Sequence, residues 1–277
     1  IGLCMTLCAA MVSHQERGRA VSVVLAGLML SPVAGVPMTA WIEHHYGWRA
    51  SSWAVVGLAL VCTLLAAMRL PKGEAGGQTR LAEQIRTLRT RRLWGAYLTS
   101  GLIICATFAA FSYCTPILIE EVGLAPGQVA PMLALYGVAN LIGNMLVGRV
   151  ADSHTISVVG LGLAMMVLVM SVFALAGDNL WLNLSCFIAI GLTGVALNPA
   201  MVARVMKAAE PGALVNTLHT SVITAGLAFG SWAGGAAIEA GYGLRAPLWV
   251  GAAIALLGLL SVLRPLASRH TATTPCT

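Results

Sequence analysis

Charge is the scarcest feature of this sequence. Lys and Arg number 16 and Asp and Glu 10, so charged residues make up 9% of the 277, where soluble domains carry about 25%. So few charges cannot cover a water-facing surface, which excludes a soluble globular fold; with 58% hydrophobic residues, disorder is excluded as well. Cysteine occurs seven times, at Cys4, Cys8, Cys62, Cys105, Cys114, Cys186 and Cys276, but no pair forms CxxC. Cys4 and Cys8 share a helical face without a His or further Cys to complete a zinc set, and the penultimate Cys276 is no prenylation box. A disulfide scaffold is thereby excluded, and the cysteines read as small apolar packing residues. Also missing are a zinc-protease spacing around Glu43, His44 and His45, a Gly-rich phosphate loop and a nucleophile elbow. The sequence therefore does not read as an enzyme, and no cofactor or metal is implied. No secretory signal is visible, and the chain opens on Ile1.

What the sequence has instead is apolar length. Mean hydropathy is +0.85, and eight runs are long enough to cross a hydrocarbon core of about 30 Å. They lie at about 20–42, 51–70, 94–118, 128–150, 156–177, 180–203, 213–238 and 246–264; a ninth stretch, 1–12, is too short. The fold class is all-α, a polytopic helical membrane protein whose surroundings are the lipid bilayer.

The connections between spans alternate sides, and the basic residues fall unevenly between them. Arg17, Arg19, Arg69, Lys72, Arg80, Arg86, Arg89, Arg91, Arg92, Arg149, Arg204, Lys207, Arg264 and Arg269 collect on one side, and only Arg49 and Arg245 on the other. Fourteen against two places the first set, and the C-terminus with it, in the cytoplasm. That asymmetry accounts for the net charge of +6 without a nucleic-acid partner. The polar segment 71–93 divides the chain, and Leu81, Ile85 and Leu88 with Arg80, Arg86 and Arg89 around them predict an amphipathic linker helix along the inner membrane surface.

Residues 42–53 read IEHHYGWRASSW and residues 238–249 read IEAGYGLRAPLW, matching at seven of twelve positions. Both segments join two spans on the outer side, with six spans between the copies, so the two halves are expected to be parallel repeats about an axis along the membrane normal. The expected domains are then 1–70, the remainder of an N-terminal half; 71–93, the linker; 94–265, a C-terminal half of six spans; and 266–277, a cytoplasmic tail. The first half holds two spans and the stub 1–12, so about three and a half helices are expected before Ile1, and the 277 residues alone are not expected to perform proton-driven export. A natural nine-span protein is the alternative.

Several spans carry residues with more than a packing reading. Gly27, Ser31 and Gly35 recur every fourth residue as a small ridge, and Pro32 and Pro37 remove two backbone donors beside it, predicting a bent helix that serves as a hinge or gate as readily as a packing face. Gly148 permits a tight turn before the next helix, where Asp152 can cap or pair with Arg149; a plain cap and a conformational latch both fit. Asn140 and Asn144 share one face of their span, and Thr217, Thr220, Ser221 and Thr224 a face opposite the Gly226, Gly230, Gly234 ridge. Phe108, Ser112 and Thr115, with Tyr97 further down, lie near one face of another span, and Asn198 and Pro199 interrupt a fourth. Each polar residue singly fits an interhelical hydrogen bond; together they predict a substrate cavity. All ten carboxylates lie in loops or at span ends. His219 is the one His expected within a span, read as a wetted helix-end residue, with a proton-coupling site as the lesser alternative.

The pattern Gly27-x-x-x-Ser31-Pro32-x-x-Gly35 resembles the antiporter motif in the fifth helix of major facilitator superfamily exporters, with Ser31 and Val36 where that pattern has Gly. Gly47-Trp48-Arg49 and the GRVAD stretch from Gly148 to Asp152 are similar to the twelve-helix drug:proton antiporter branch, which includes chloramphenicol exporters and sugar-efflux permeases; Ser153 stands where the family continues with a basic residue. The resemblance covers essentially the whole chain as part of helix four through helix twelve. It implies a secondary active transporter of the bacterial inner membrane, monomeric when complete, exporting drugs or small amphipathic metabolites against protons by alternating access. A transport-incompetent fragment and a sugar or metabolite efflux permease are the competing readings.

Overall fold

The computed structural model describes Gly27 and residues 34–69, 90–209 and 213–270, apart from the side chains of 69, 152, 213 and 264–270. The stub 1–12, Ser31, Pro32, the linker helix expected within 71–93, the Asp152 carboxylate and the tail beyond 270 lie outside the described residues.

Every regular element among the described residues is helical. In order these are α1 (Val36–Tyr46), α2 (Trp48–Arg69), α3 (Arg91–Phe111, prolonged by helical turns to Glu121), α4 (Pro126–Leu175), α5 (Leu180–Thr193), α6 (Asn198–Ala208), α7 (Ala213–Glu239) and α8 (Ala246–His270). Among the described residues seven spans are long and apolar enough to cross a membrane: Trp48–Met68, Arg91–Glu121, Pro126–Ala151, Ser153–Leu175, Leu180–Ala208, Leu214–Glu239 and Ala246–Leu263. They match seven of the eight expected spans; the remaining one, 20–42, falls mostly outside the described residues.

The expected boundary between the spans 128–150 and 156–177 falls inside α4, which is two helical spans, Pro126–Ala151 and Ser153–Leu175, meeting at a kink where His154 has non-helical angles (φ −126°, ψ 40°). The Thr155 hydroxyl donates back to the Ala151 carbonyl and the Ser153 hydroxyl to Val150 O. These hydroxyls occupy carbonyls that the distorted ladder leaves short, so the chain reverses without a loop.

From α3 onward the helices pack as a bundle, with α7 and α8 against α3, and α5, α6 and α8 against α4. Glycine sets the closest seam. A Cβ on Gly226 would lie 2.6 Å from the Gly101 carbonyl and one on Gly234 2.7 Å from that of Ala109, with Gly230 still tighter against Cys105 O. Two backbones can approach this far only where side chains are absent. The apolar centre is formed by Ile103, Leu163, Met166, Met170, Phe173 and Phe187. Leu93, Ala96, Tyr97, Val205 and Val215 form a separate small cluster where α3 and α7 begin.

The hairpin of α1 and α2 stands beside this bundle, α1 resting on α4. Gly47 makes the hairpin turn at φ 81°, and its repeat counterpart Gly243 adopts φ 84°; both copies use the left-handed backbone that only glycine enters freely. Against the described residues α2 buries nothing of its apolar window, and Trp53, Leu58, Leu64 and Met68 are exposed.

Candidate functional site

The structure divides the predicted polar residues into separate groups. On α4, Asn140 is buried with no partner for its Oδ1 among the described residues, and Asn144 is half-buried one turn on. This stretch faces the start of α6: a Cβ on Gly143 would come within 2.8 Å of Ala196 Cβ, and one on Gly148 would meet Pro199 at 3.9 Å. Asn198, half-buried at the first position of α6, therefore shares a seam with the two α4 asparagines. Gly148 lies inside the helix at ordinary van der Waals distance and not in a tight turn, and Arg149 beside it is exposed.

A second group lies on α7 and the facing end of α3. Thr217, Thr220, Ser221 and Thr224 are all exposed, and the last three hydroxyls donate to carbonyls one turn back in their own helix, at 3.0 Å each. Those three bonds hold no second helix, and among the described residues the stripe lies on an exposed face of a membrane span. At its far end Ser112, exposed, bonds to Ser231 Oγ at 2.7 Å, and Phe108 packs edge-on against Phe111.

Tyr97 does not belong to either group. It is 1% exposed, and its hydroxyl donates to the Val215 carbonyl at 2.7 Å. Its placement in a wet cavity is corrected to a core position, because an aromatic ring with its one polar atom satisfied is more stable among Leu93, Ala96 and Val205 than against water. The same cluster corrects His219, which is buried at 5% exposure and stacks on Tyr97 with ring centroids 5.8 Å apart.

Of the expected gate, Gly35 and Pro37 bracket the start of α1. Residues 34–35 form a wide π turn that tightens into α-helix at Val36, and Thr39 Oγ1 donates to the carbonyls of Gly35 and Val36 at 3.1 and 2.9 Å. The helical register changes at this point, just before Pro37. Gly27 is exposed, and a Cβ added there would meet no neighbour within 4 Å, so the described residues show nothing packed on its end of the ridge.

The opposite end of the bundle holds features that sequence reading missed. Arg245 Nε donates to Glu121 Oε2 at 2.9 Å and its Nη2 to the Gly177 carbonyl at 2.8 Å. The rings of Phe111, Tyr136 and Phe187 stack in succession, at 4.8 and 5.2 Å, along a small cavity with room for about one water. A cleft of about 260 Å³ opens between α1 and α4, lined by Trp41, His44, His45, Pro126, Gly127 and Ala130. His44 and His45 lack a third ligand there: among the described residues no three His, Cys, Asp or Glu stand close enough to hold a metal. None of these contacts has a periodic signature in the sequence.

Among the described residues six apolar spans packed as a bundle, with a seventh in the hairpin beside it, make a polytopic helical membrane protein. Residues 1–220 match the family model described as Major Facilitator Superfamily. The chain belongs to that superfamily. This major facilitator chain is 32% identical over 263 residues to the inner membrane transport protein YdhP of Escherichia coli (strain K12), an alignment covering 94% of the chain and 67% of YdhP. It is 27% identical over 265 residues to a chloramphenicol resistance protein of Streptomyces lividans, covering 94% and 68%. A third relative, the uncharacterized MFS-type transporter YtbD of Bacillus subtilis (strain 168), is 27% identical over 252 residues, covering 89% of the chain and 63% of YtbD.

Proposed function

We propose that this major facilitator protein exports drugs or small amphipathic metabolites from a bacterial cell by proton antiport, alternating its access between two six-helix halves. The observation that carries this reading is the hydroxyl stripe of α7. Thr217, Thr220, Ser221 and Thr224 stand exposed on a span whose most apolar window is 11% buried, and a row of hydroxyls is a poor surface to turn toward lipid. A water-filled pathway beside α7 gives them a solvent, and Ser112 and Phe108 on α3 border the same side. The asparagines Asn140, Asn144 and Asn198 supply amide groups at the neighbouring seam, and Gly27, Ser31, Pro32, Gly35 and Pro37 form the gate that lets the halves move. Gly148, Arg149 and Asp152 stand at the kink that would transmit that motion. The name of the Streptomyces relative supports chloramphenicol as the first solute to test.

The test is accumulation of radiolabelled chloramphenicol by energised inverted vesicles from cells expressing the whole reading frame that contains this chain. Accumulation several-fold above control vesicles, abolished by an uncoupler, is the expected result. Accumulation that survives the uncoupler would remove proton antiport from the reading, and none at all would remove this solute class.

A further inference from the structure

His219 is the described histidine that the bundle buries; His44, His45 and His154 are all exposed. Among the described residues its Nε2 has no hydrogen-bond partner. The ring stacks on Tyr97 at an interplanar angle of 15°, and the Tyr97 hydroxyl holds the Val215 carbonyl, one turn before His219, which fixes the ring's partner in place. An unpaired buried polar atom costs about 1–3 kcal/mol, and a Leu or Phe would fill this apolar cluster without that loss. Such exceptions in folded proteins mark a group with work to do or a partner that comes and goes.

The surroundings suit a proton that is both bound and released. A parallel aromatic face within about 6 Å stabilises an imidazolium through its ring quadrupole. The titratable and charged groups on the elements packed around His219 are Arg91, Arg92 and Tyr97 on α3, Arg204 and Lys207 on α6, and Arg264 on α8, whose side chain lies outside the described residues. Arg204 Nη1 is itself buried with no partner among the described residues, and Lys207 Nζ donates to Thr155 Oγ1 at 2.8 Å. The described carboxylates, Glu43, Glu120, Glu121, Asp178 and Glu239, all stand at the opposite ends of their helices. Among the described residues no acid therefore clamps the proton. His219 also lies six residues into α7, about 9 Å along the axis from its first turn, a short path to water.

We propose that His219 is a proton-binding site of this protein. The bare ring nitrogen takes a proton from hydronium entering where α3 and α7 begin, forming an N–H bond and leaving water, and returns it by the same path. Its use in transport rests on the antiport reading above; proton binding itself does not.

The experiment replaces His14, His44, His45, His154 and His270 in the 277-residue chain, leaving one imidazole in an unaltered core, and follows it in nanodiscs by NMR of ¹³C-histidine between pH 5 and 8. The expected result is a reversible sigmoidal shift of the His219 Cε1 signal, with the Tyr97 ring signals moving at the same midpoint. A signal fixed across that range would overturn the proposal and leave a packed structural ring. The role in transport is read separately, in the vesicles described above. His219→Gln should flatten the pH profile of export, and an unchanged profile would overturn that role even with titration established. Loss of uncoupler sensitivity in the parent protein would instead count against antiport alone.

Discussion

Arg245 joins three separate parts of the bundle through one side chain. It leaves the loop before α8, pairs with Glu121 at the end of α3 and donates to Gly177 between α4 and α5. Side-chain exposures of 17% for Arg245 and 35% for Glu121 place the pair between the surface and buried regimes, where charge-assisted bonds contribute roughly 1–3 kcal/mol. Arg245→Met should therefore lower the melting temperature in detergent by several degrees, and Glu121→Gln by less, because the bond to Gly177 survives and the amide oxygen still accepts from Nε. Equal melting of all three proteins would show the clamp to be inert. Its repeat counterpart Arg49 lies over the Trp48 ring instead, 4.7 Å from the centroid. The repeat made both arginines visible in the sequence. Their partners were not visible, since Glu121 and Gly177 are 124 and 68 residues from Arg245 and no local pattern encodes such a meeting.

Between whole helices the decisive feature is the seam of α3 and α7. The Gly226, Gly230, Gly234 ridge was legible from its fourfold spacing, and so in principle was the ridge it meets, Gly101, Cys105 and Ala109. A single sequence shows ridges but not which of them face each other, because any small surface accepts any other. At Gly230 an added methyl overlaps the Cys105 carbonyl, which is backbone and cannot rotate away. Gly230→Ala should destabilise the bundle by about 1–3 kcal/mol, read as a lower melting temperature or faster unfolding in detergent. Gly160→Ala, where nothing lies within 4 Å, should be neutral or slightly stabilising, since it only removes glycine's helical penalty. A matching loss in both variants would assign the effect to glycine in general and not to this seam. Near Gly148 and Asp152 the expected reversal between spans is present as a kink at His154, where the hydroxyls of Ser153 and Thr155 bond to carbonyls of the preceding turn.

At the scale of the molecule, composition revealed most of the architecture and little of the site. Apolar runs must be helical in a bilayer because each backbone group needs a partner within its own segment, so span number and approximate ends follow from hydropathy. Burial of Tyr97 and His219 does not follow, since a polar side chain near a span end fits a wet surface and a packed seam equally until the neighbouring helices are known. Orientation is a property of the whole chain and rests on the fourteen-to-two distribution of basic residues. Arg91, Arg92, Arg149, Arg204 and Lys207 all fall near the ends of α3, α6 and the first arm of α4 that antiparallel packing brings to one side, while Glu120, Glu121, Asp178 and Glu239 stand at the other. Cationic segments near span ends resist translocation far more than acidic ones, so the basic end should face the cytoplasm. In a chain freed of its seven cysteines, Ala125→Cys and Ser153→Cys place single thiols at exposed positions on opposite sides of the first arm of α4. A membrane-impermeant maleimide added to intact cells should label the Ala125→Cys protein and reach Ser153→Cys only after permeabilisation. The reverse pattern would invert every span at once, since consecutive helices share their connections, and would put the His219 end of the bundle on the outside.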